Sequence, residues 1–205
     1  GQVVMICGEE GLGKSHLLEN FLNSLAPDSA EVMRLYGAPH ARGNVLHPII
    51  SNWQRQSGID SSDSTRVKLE KLQRRLGQLG SSDPDDLALI ATLLSIPPGE
   101  HAKRSRPSPA TLKTRTLNLL VSQIIRRCLE QPIVVVFEDL QWLDTSSLDF
   151  LSLLMQKSPQ LPLMIIGSHR PQFNPRRPDE AGTRVIELGY LDPEGCLYIA
   201  GRRKN

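Results

Sequence analysis

The residues Gly8-Glu9-Glu10-Gly11-Leu12-Gly13-Lys14-Ser15 place glycines, a lysine and a hydroxyl at the spacing GxxxxGK[ST]. A loop that wraps a polyphosphate must turn its backbone N–H groups inward, into conformations that glycine adopts without steric cost. A helix that starts near Lys14 adds unpaired N–H groups and the positive end of its dipole. Lys14 supplies a point charge for terminal phosphates, and the Ser15 hydroxyl is a ligand for a hard cation such as magnesium. The expected phosphate-binding residues are therefore Gly8, Glu9, Glu10, Gly11, Leu12, Gly13, Lys14, Ser15 and His16, the last of these in the first helical turn.

A second constellation is Ile133-Val134-Val135-Val136-Phe137-Glu138-Asp139, an apolar run that ends in two acids. This is the pattern of a Walker B strand, which delivers one carboxylate to the magnesium shell and a second to the attacking water. By position, Glu138 takes the metal side with Ser15, and Asp139 takes the water side. The usual ATPase order is Asp then Glu, so the pair is reversed. Asp139 is one methylene shorter than glutamate, a reach deficit of about 1–1.5 Å. A misplacement of that size costs on the order of a hundredfold in rate, so hydrolysis is expected to be slow and binding intact. Gln141 is an alternative for orienting the water.

A third candidate lies just past the buried run Leu163–Gly167. Arg170, with Ser168, could report the γ-phosphate if its strand lies beside the phosphate loop; a salt bridge to a nearby acid is the structural alternative. His169 reads as a packed or loop histidine rather than a base. Trp142 is expected to close the Walker B corner by packing, with an adenine stack as the alternative. No guanine-reading NKxD tetrapeptide comes after the Walker B strand, which favours adenine.

These residues need elements to position them. Val3–Cys7 is a buried strand closed by Gly8. Leu17, Leu18, Phe21, Leu22 and Leu25 recur at helical spacing until Pro27, and Glu31–Tyr36 is a second strand. Pro48–Gln56, Thr65–Leu79 and Pro84–Leu94 read as helices. Pro97–Pro107 reads as an exposed loop whose Lys103, Arg104 and Arg106 are solvated charges. Ser108 and Pro109 start a long helix with Leu117, Leu120, Val121, Ile124 and Cys128 as its buried stripe. Asp144 caps the next helix, whose inner face is Leu148, Leu151, Leu154 and Met155. Val185–Leu188 is a last strand, and Pro193–Arg203 has a helical pattern. Strand, loop, helix, strand is the start of an α/β domain with a parallel sheet.

The 205 residues suffice for one well-packed domain, and 39 % apolar content is that of an ordinary globular chain. No apolar run approaches the roughly 18 residues of a membrane span. Cys7, Cys128 and Cys196 are far apart and read as reduced core thiols, which fits a cytoplasmic setting. A net charge of +2 does not argue for nucleic acid. The chain opens directly on a core strand and stops within the helical pattern. It is therefore expected to be a segment of a longer protein.

GEEGLGKS (Gly8–Ser15), VVVFEDLQWLDTSSLDFL (Val134–Leu151) and MIIGSHRP (Met164–Pro171), in this order, resemble the AAA-type ATPase domain of signal-transduction ATPases with numerous domains (STAND). That domain is also catalogued as the origin-recognition-complex-like AAA ATPase domain. In that group it adjoins class III nucleotide cyclases, serine/threonine kinases or LuxR-type transcription regulators. The stretch Arg34–Ile59 resembles the segment after the second strand in the cyclase-linked members. The resemblance implies a three-layer α/β/α P-loop sandwich in which the strand ending at Arg170 lies between the Walker A and Walker B strands. It also implies ATP-dependent switching with nucleotide-dependent self-association. Gln141 stands where a histidine is common in the group.

Taken together, residues 1–205 read as a single P-loop ATPase domain with a helical insertion at 37–108. Its expected ligands are ATP or ADP with Mg2+, its catalytic residues Asp139, Glu138 and Arg170, and its metal ligands Ser15 and Glu138. The expected role is a regulatory switch with weak ATPase activity, covalently linked to effector domains and without membrane or nucleic-acid partners in this segment. An initiator ATPase acting on DNA, a binding-only module and a small-molecule kinase are the competing readings. The kinase reading lacks an acceptor-binding arginine pair.

Overall fold

The computed structural model describes residues 1–41, 44–97, 108–173, 183–191 and 197–199. It divides into two compact units, one made of the residues up to Pro48 and from Cys128 onward, the other of Ile49–Arg127.

The first unit is built on a five-stranded sheet formed by β1 (Gln2–Cys7), β2 (Glu31–Tyr36), β3 (Ile133–Glu138), β4 (Leu163–His169) and β5 (Thr183–Glu187). Its strand order is β2-β3-β4-β1-β5, and every pairing is parallel. Parallel strands buried on both faces read as continuous apolar runs, and β3 is buried at every residue.

Alternation divides the strand residues between two faces. On one face Val4, Ile6, Val134, Val136 and Ile166 form a cluster with Leu18 of helix α1 (Lys14–Ser24). On the other, Phe137 meets Phe150 of α6 (Thr145–Lys157), ring centroids 6.3 Å apart. Helix, sheet and helix make the three layers of an α/β P-loop sandwich. Leu17 of the α1 stripe is 39 % exposed, so only Leu18 of that pair enters the core. The buried stripe of α6 includes Phe150 in place of the expected Leu148, which is half-buried. Contact with Phe137 accounts for that rotation.

The second unit is helical. It holds most of α2 (His47–Ser57) and α5 (Pro109–Cys128), with all of α3 (Thr65–Gln78) and α4 (Pro84–Leu93). Ser64 caps α3 and Asp83 caps α4, each side chain accepting a backbone N–H of the first turn. Leu72, Leu76, Ile90 and Ala91 are almost fully buried within it. The expected stripe residues of α5, from Leu117 to Cys128, are all buried.

One expectation fails. Leu197–Ile199, inside the helical pattern of 193–203, is strand β7, antiparallel to β6 (Gly189–Leu191). Tyr198 and Ile199 carry strand preference, and pairing outweighs a short stretch of helical spacing. Lys103, Arg104, Arg106 and Cys196 lie outside the described residues, while Cys7 and Cys128 are buried thiols.

Candidate nucleotide site

The sheet order sets the site. β1 lies between β4 and β5, and β4 separates β1 from β3, so the loop after β1, the end of β3 and the end of β4 emerge at one edge of the sheet. In open parallel sheets ligands sit at that carboxyl edge.

The loop leaves β1 at Cys7. Gly8 donates its N–H to the His169 carbonyl at 3.2 Å, which ties the loop's first residue to the end of β4. Gly11 and Gly13 have φ of +84° and +81°, a region costly for any residue with a Cβ. Gly13 is the N-cap of α1 and offers no side-chain acceptor, and the first turn carries no acid. Leu17 makes the first intrahelical bond, to the Gly13 carbonyl at 2.8 Å. The earlier N–H groups, those of Ser15 and His16 among them, have no intrahelical acceptor. Such a set of free donors is the chemistry an anion needs.

Lys14 is 8 % exposed, and its Nζ donates to the carbonyls of Gly8 at 2.8 Å and Glu9 at 2.7 Å. The ammonium therefore sits under the loop, with two of its three donors on loop oxygens. The exposed His16 side chain pairs with Asn20 one turn later at 3.1 Å.

Ser15 Oγ donates to Glu138 Oε2 at 3.3 Å, across 123 positions of sequence. Glu138 is 9 % exposed. Burial pushes its carboxyl above the usual glutamate range, while the Ser15 hydroxyl and the charge of Arg34 pull the other way. The two oxygens suit a hard cation, since their separation is close to the roughly 2.9 Å edge of a magnesium octahedron. Among the described residues no group of three or more His, Cys, Asp or Glu is placed to hold a metal ion by itself. Phosphate oxygens and water would complete such a shell, as is usual for magnesium.

Asp139 is left-handed, φ and ψ both 56°, and opens the 3-10 turn Leu140–Trp142. Its N–H donates to the buried Ser168 hydroxyl at 3.1 Å, and its Oδ1 accepts from Gln141 Nε2 at 2.9 Å. Gln141 Oε1 in turn accepts the Arg170 N–H at 3.3 Å. Gln141 thus joins the Walker B turn to the end of β4, and Ser168 anchors backbone.

Arg170 pairs with Glu10 of the phosphate loop at 2.7 Å, and its guanidinium carbon lies 5.7 Å from the centre of the Trp142 ring. His169 is buried, with Nδ1 2.9 Å from the Arg170 carbonyl oxygen and its ring edge-on to Phe173. It is packed, as expected.

Sequence reasoning missed Arg34. It faces Glu19 of α1 through both terminal guanidinium nitrogens, Nη2 at 2.8 Å, and its Nη1 lies 3.4 Å from the Tyr36 hydroxyl. That pair raises the already high pKa of Arg34 and lowers that of Glu19. Only the fold brings it there: β2 puts Arg34 beside Val136 and Tyr36 beside Glu138, on the face that α1 covers.

The model of the AAA ATPase domain family matches residues 1–166, which include the phosphate loop, Glu138 and Asp139 and stop short of Arg170. An uncharacterized protein of Rhizobium meliloti (strain 1021) is 24 % identical over 198 residues, 95 % of this chain. The chain spans 19 % of that relative's length. No helix among the described residues is long and apolar enough to cross a membrane. With the phosphate loop and the Walker B strand both inside the matched residues, the chain belongs to the AAA ATPase domain family and is a P-loop nucleotide-binding domain.

Proposed function

We propose that this chain is an ATP-binding regulatory switch with slow, magnesium-dependent hydrolysis, one segment of a multidomain signal-transduction protein. Residues 1–205 are read as one nucleotide-binding domain, with 37–108 as its helical insertion. The observation that carries the reading is the meeting of Ser15 with Glu138, beside a Lys14 already drawn under the loop. A glycine-rich turn of purely structural use has no need of that triad.

In this reading the loop N–H groups and Lys14 hold the β- and γ-phosphates, and Ser15 and Glu138 hold Mg2+. The bound cation supplies charge neutralisation on the phosphate oxygens. Asp139, steadied by Gln141 and Ser168, orients a water for attack on the γ-phosphorus. The bond from that phosphorus to the bridging oxygen breaks, and ADP and phosphate leave. Arg170 meets the γ-phosphate once it gives up Glu10. The Gln141 amide already occupies Asp139 Oδ1, which together with the short side chain supports slow turnover. Covalently linked effector domains are supported by the family resemblance and by the much longer relative, self-association by the resemblance, and a cytoplasmic setting by the buried free thiols of Cys7 and Cys128.

Phosphate release from purified protein with MgATP tests the reading. Turnover well below about 10 per second, the enzyme median, is expected, and it should vanish in Asp139→Ala while ATP still binds. A median-range rate would contradict the slow switch.

A further inference from the structure

The phosphate loop is held by the segment just after β4. Glu10 Oε2 lies 2.7 Å from Arg170 Nη2, and Glu9 Oε1 accepts from Gln172 Nε2 at 2.9 Å. Both acids of the loop are therefore engaged by residues 170–172. A carboxylate presents a guanidinium with the same charge-assisted oxygen acceptors as a phosphate does. Arg170 is further fixed by its backbone bond to Gln141 and by the face of Trp142.

We infer that Glu10 is a specificity-determining residue that sets the preference between nucleoside triphosphate and diphosphate; this rests on the reading of Arg170 as the γ-phosphate ligand. Without nucleotide, Glu10 occupies Arg170. A diphosphate has no group that reaches Arg170, so it binds with the pair intact. A triphosphate must replace the Glu10 carboxylate with its γ-phosphate, and the pair's stability is subtracted from its affinity. Glu10 therefore lowers the ATP-over-ADP preference, and a domain with this pair needs a somewhat higher ratio of ATP to ADP to release its switch.

The effect is modest, because Glu10 is 78 % exposed in this pair. Exposed ion pairs contribute at most about fivefold in an equilibrium constant, so a two- to fivefold shift is expected. Glu10→Gln keeps the side-chain shape on an exposed position, and folding is not at risk.

The test is calorimetric titration of MgATP and MgADP into wild type, Glu10→Gln, Arg170→Ala and the double variant. Support is a rise of about two- to fivefold in the ATP/ADP affinity ratio in Glu10→Gln that disappears in the Arg170→Ala background. An unchanged ratio, or the same rise without Arg170, overturns the inference; the second result would mean that removing a loop charge favours phosphate generally. Failure of the wild type to bind either nucleotide would instead overturn the nucleotide reading beneath it.

Discussion

Gly37 and Asp139 meet through their backbones, and a Cβ on Gly37 would collide with the Asp139 carbonyl oxygen. Gly37 comes directly after β2 and donates its N–H to the Glu138 carbonyl at 2.8 Å. The left-handed turn at Asp139 thus rests on a neighbour with no side chain. Gly37→Ala should push that turn aside and cost about 1–3 kcal/mol of stability. A displacement approaching about 1 Å at Asp139 should also lower turnover by on the order of a hundredfold. Urea unfolding and phosphate release measure the two effects; an unchanged rate would show that the Asp139 turn is not part of the chemistry.

Glu138 carries opposing demands. Burial raises its folded-state pKa, so the folded protein prefers the protonated carboxyl. Stability from that form is present below the unfolded glutamate pKa and is lost as pH rises towards the folded one. Glu138→Gln should therefore raise the melting temperature of the nucleotide-free protein at neutral pH, and the gain should shrink as pH falls from the raised folded-state value to the ordinary glutamate one. The same variant should lose the tightening of ATP binding by magnesium. Thermal melts across pH, with titrations with and without Mg2+, check both.

Asp144 joins two segments far apart in sequence. Its Oδ1 accepts the N–H groups of Ser146 and Ser147, and its Oδ2 accepts the Leu46 N–H at 3.0 Å. Leu46 is buried with φ of +56°, a conformation that needs support in a branched residue. Asp144→Ala should cost about 2 kcal/mol, a lost cap plus an orphaned N–H. Asp144→Asn, which retains one acceptor, should recover part of it. Chemical denaturation of both variants decides this.

The strands of the parallel sheet and the cap at Asp144 were legible because their causes are local: apolar runs, a capping carboxylate, glycines at fixed spacing. The phosphate loop was legible for the same reason. The meeting of Ser15 and Glu138 was expected from the pattern of the two motifs, yet its distance is set by the order of the strands. The Arg34–Glu19 pair, the Gly37–Asp139 contact and the hold of Glu10 on Arg170 each join segments through the sheet, and no local spacing encodes them. At 193–203 a short helical period competed with strand pairing, and a pairing partner is invisible to periodicity.

The most direct measurement is calorimetric titration of MgATP into the wild type and Lys14→Ala, both shown by circular dichroism to be folded. Saturable one-to-one binding to the wild type is predicted, with a loss of at least about a hundredfold in the variant, whose loop lacks its buried cation. No binding to the folded wild type, or equal binding to the variant, would contradict the assignment of Gly8–His16 as a triphosphate site.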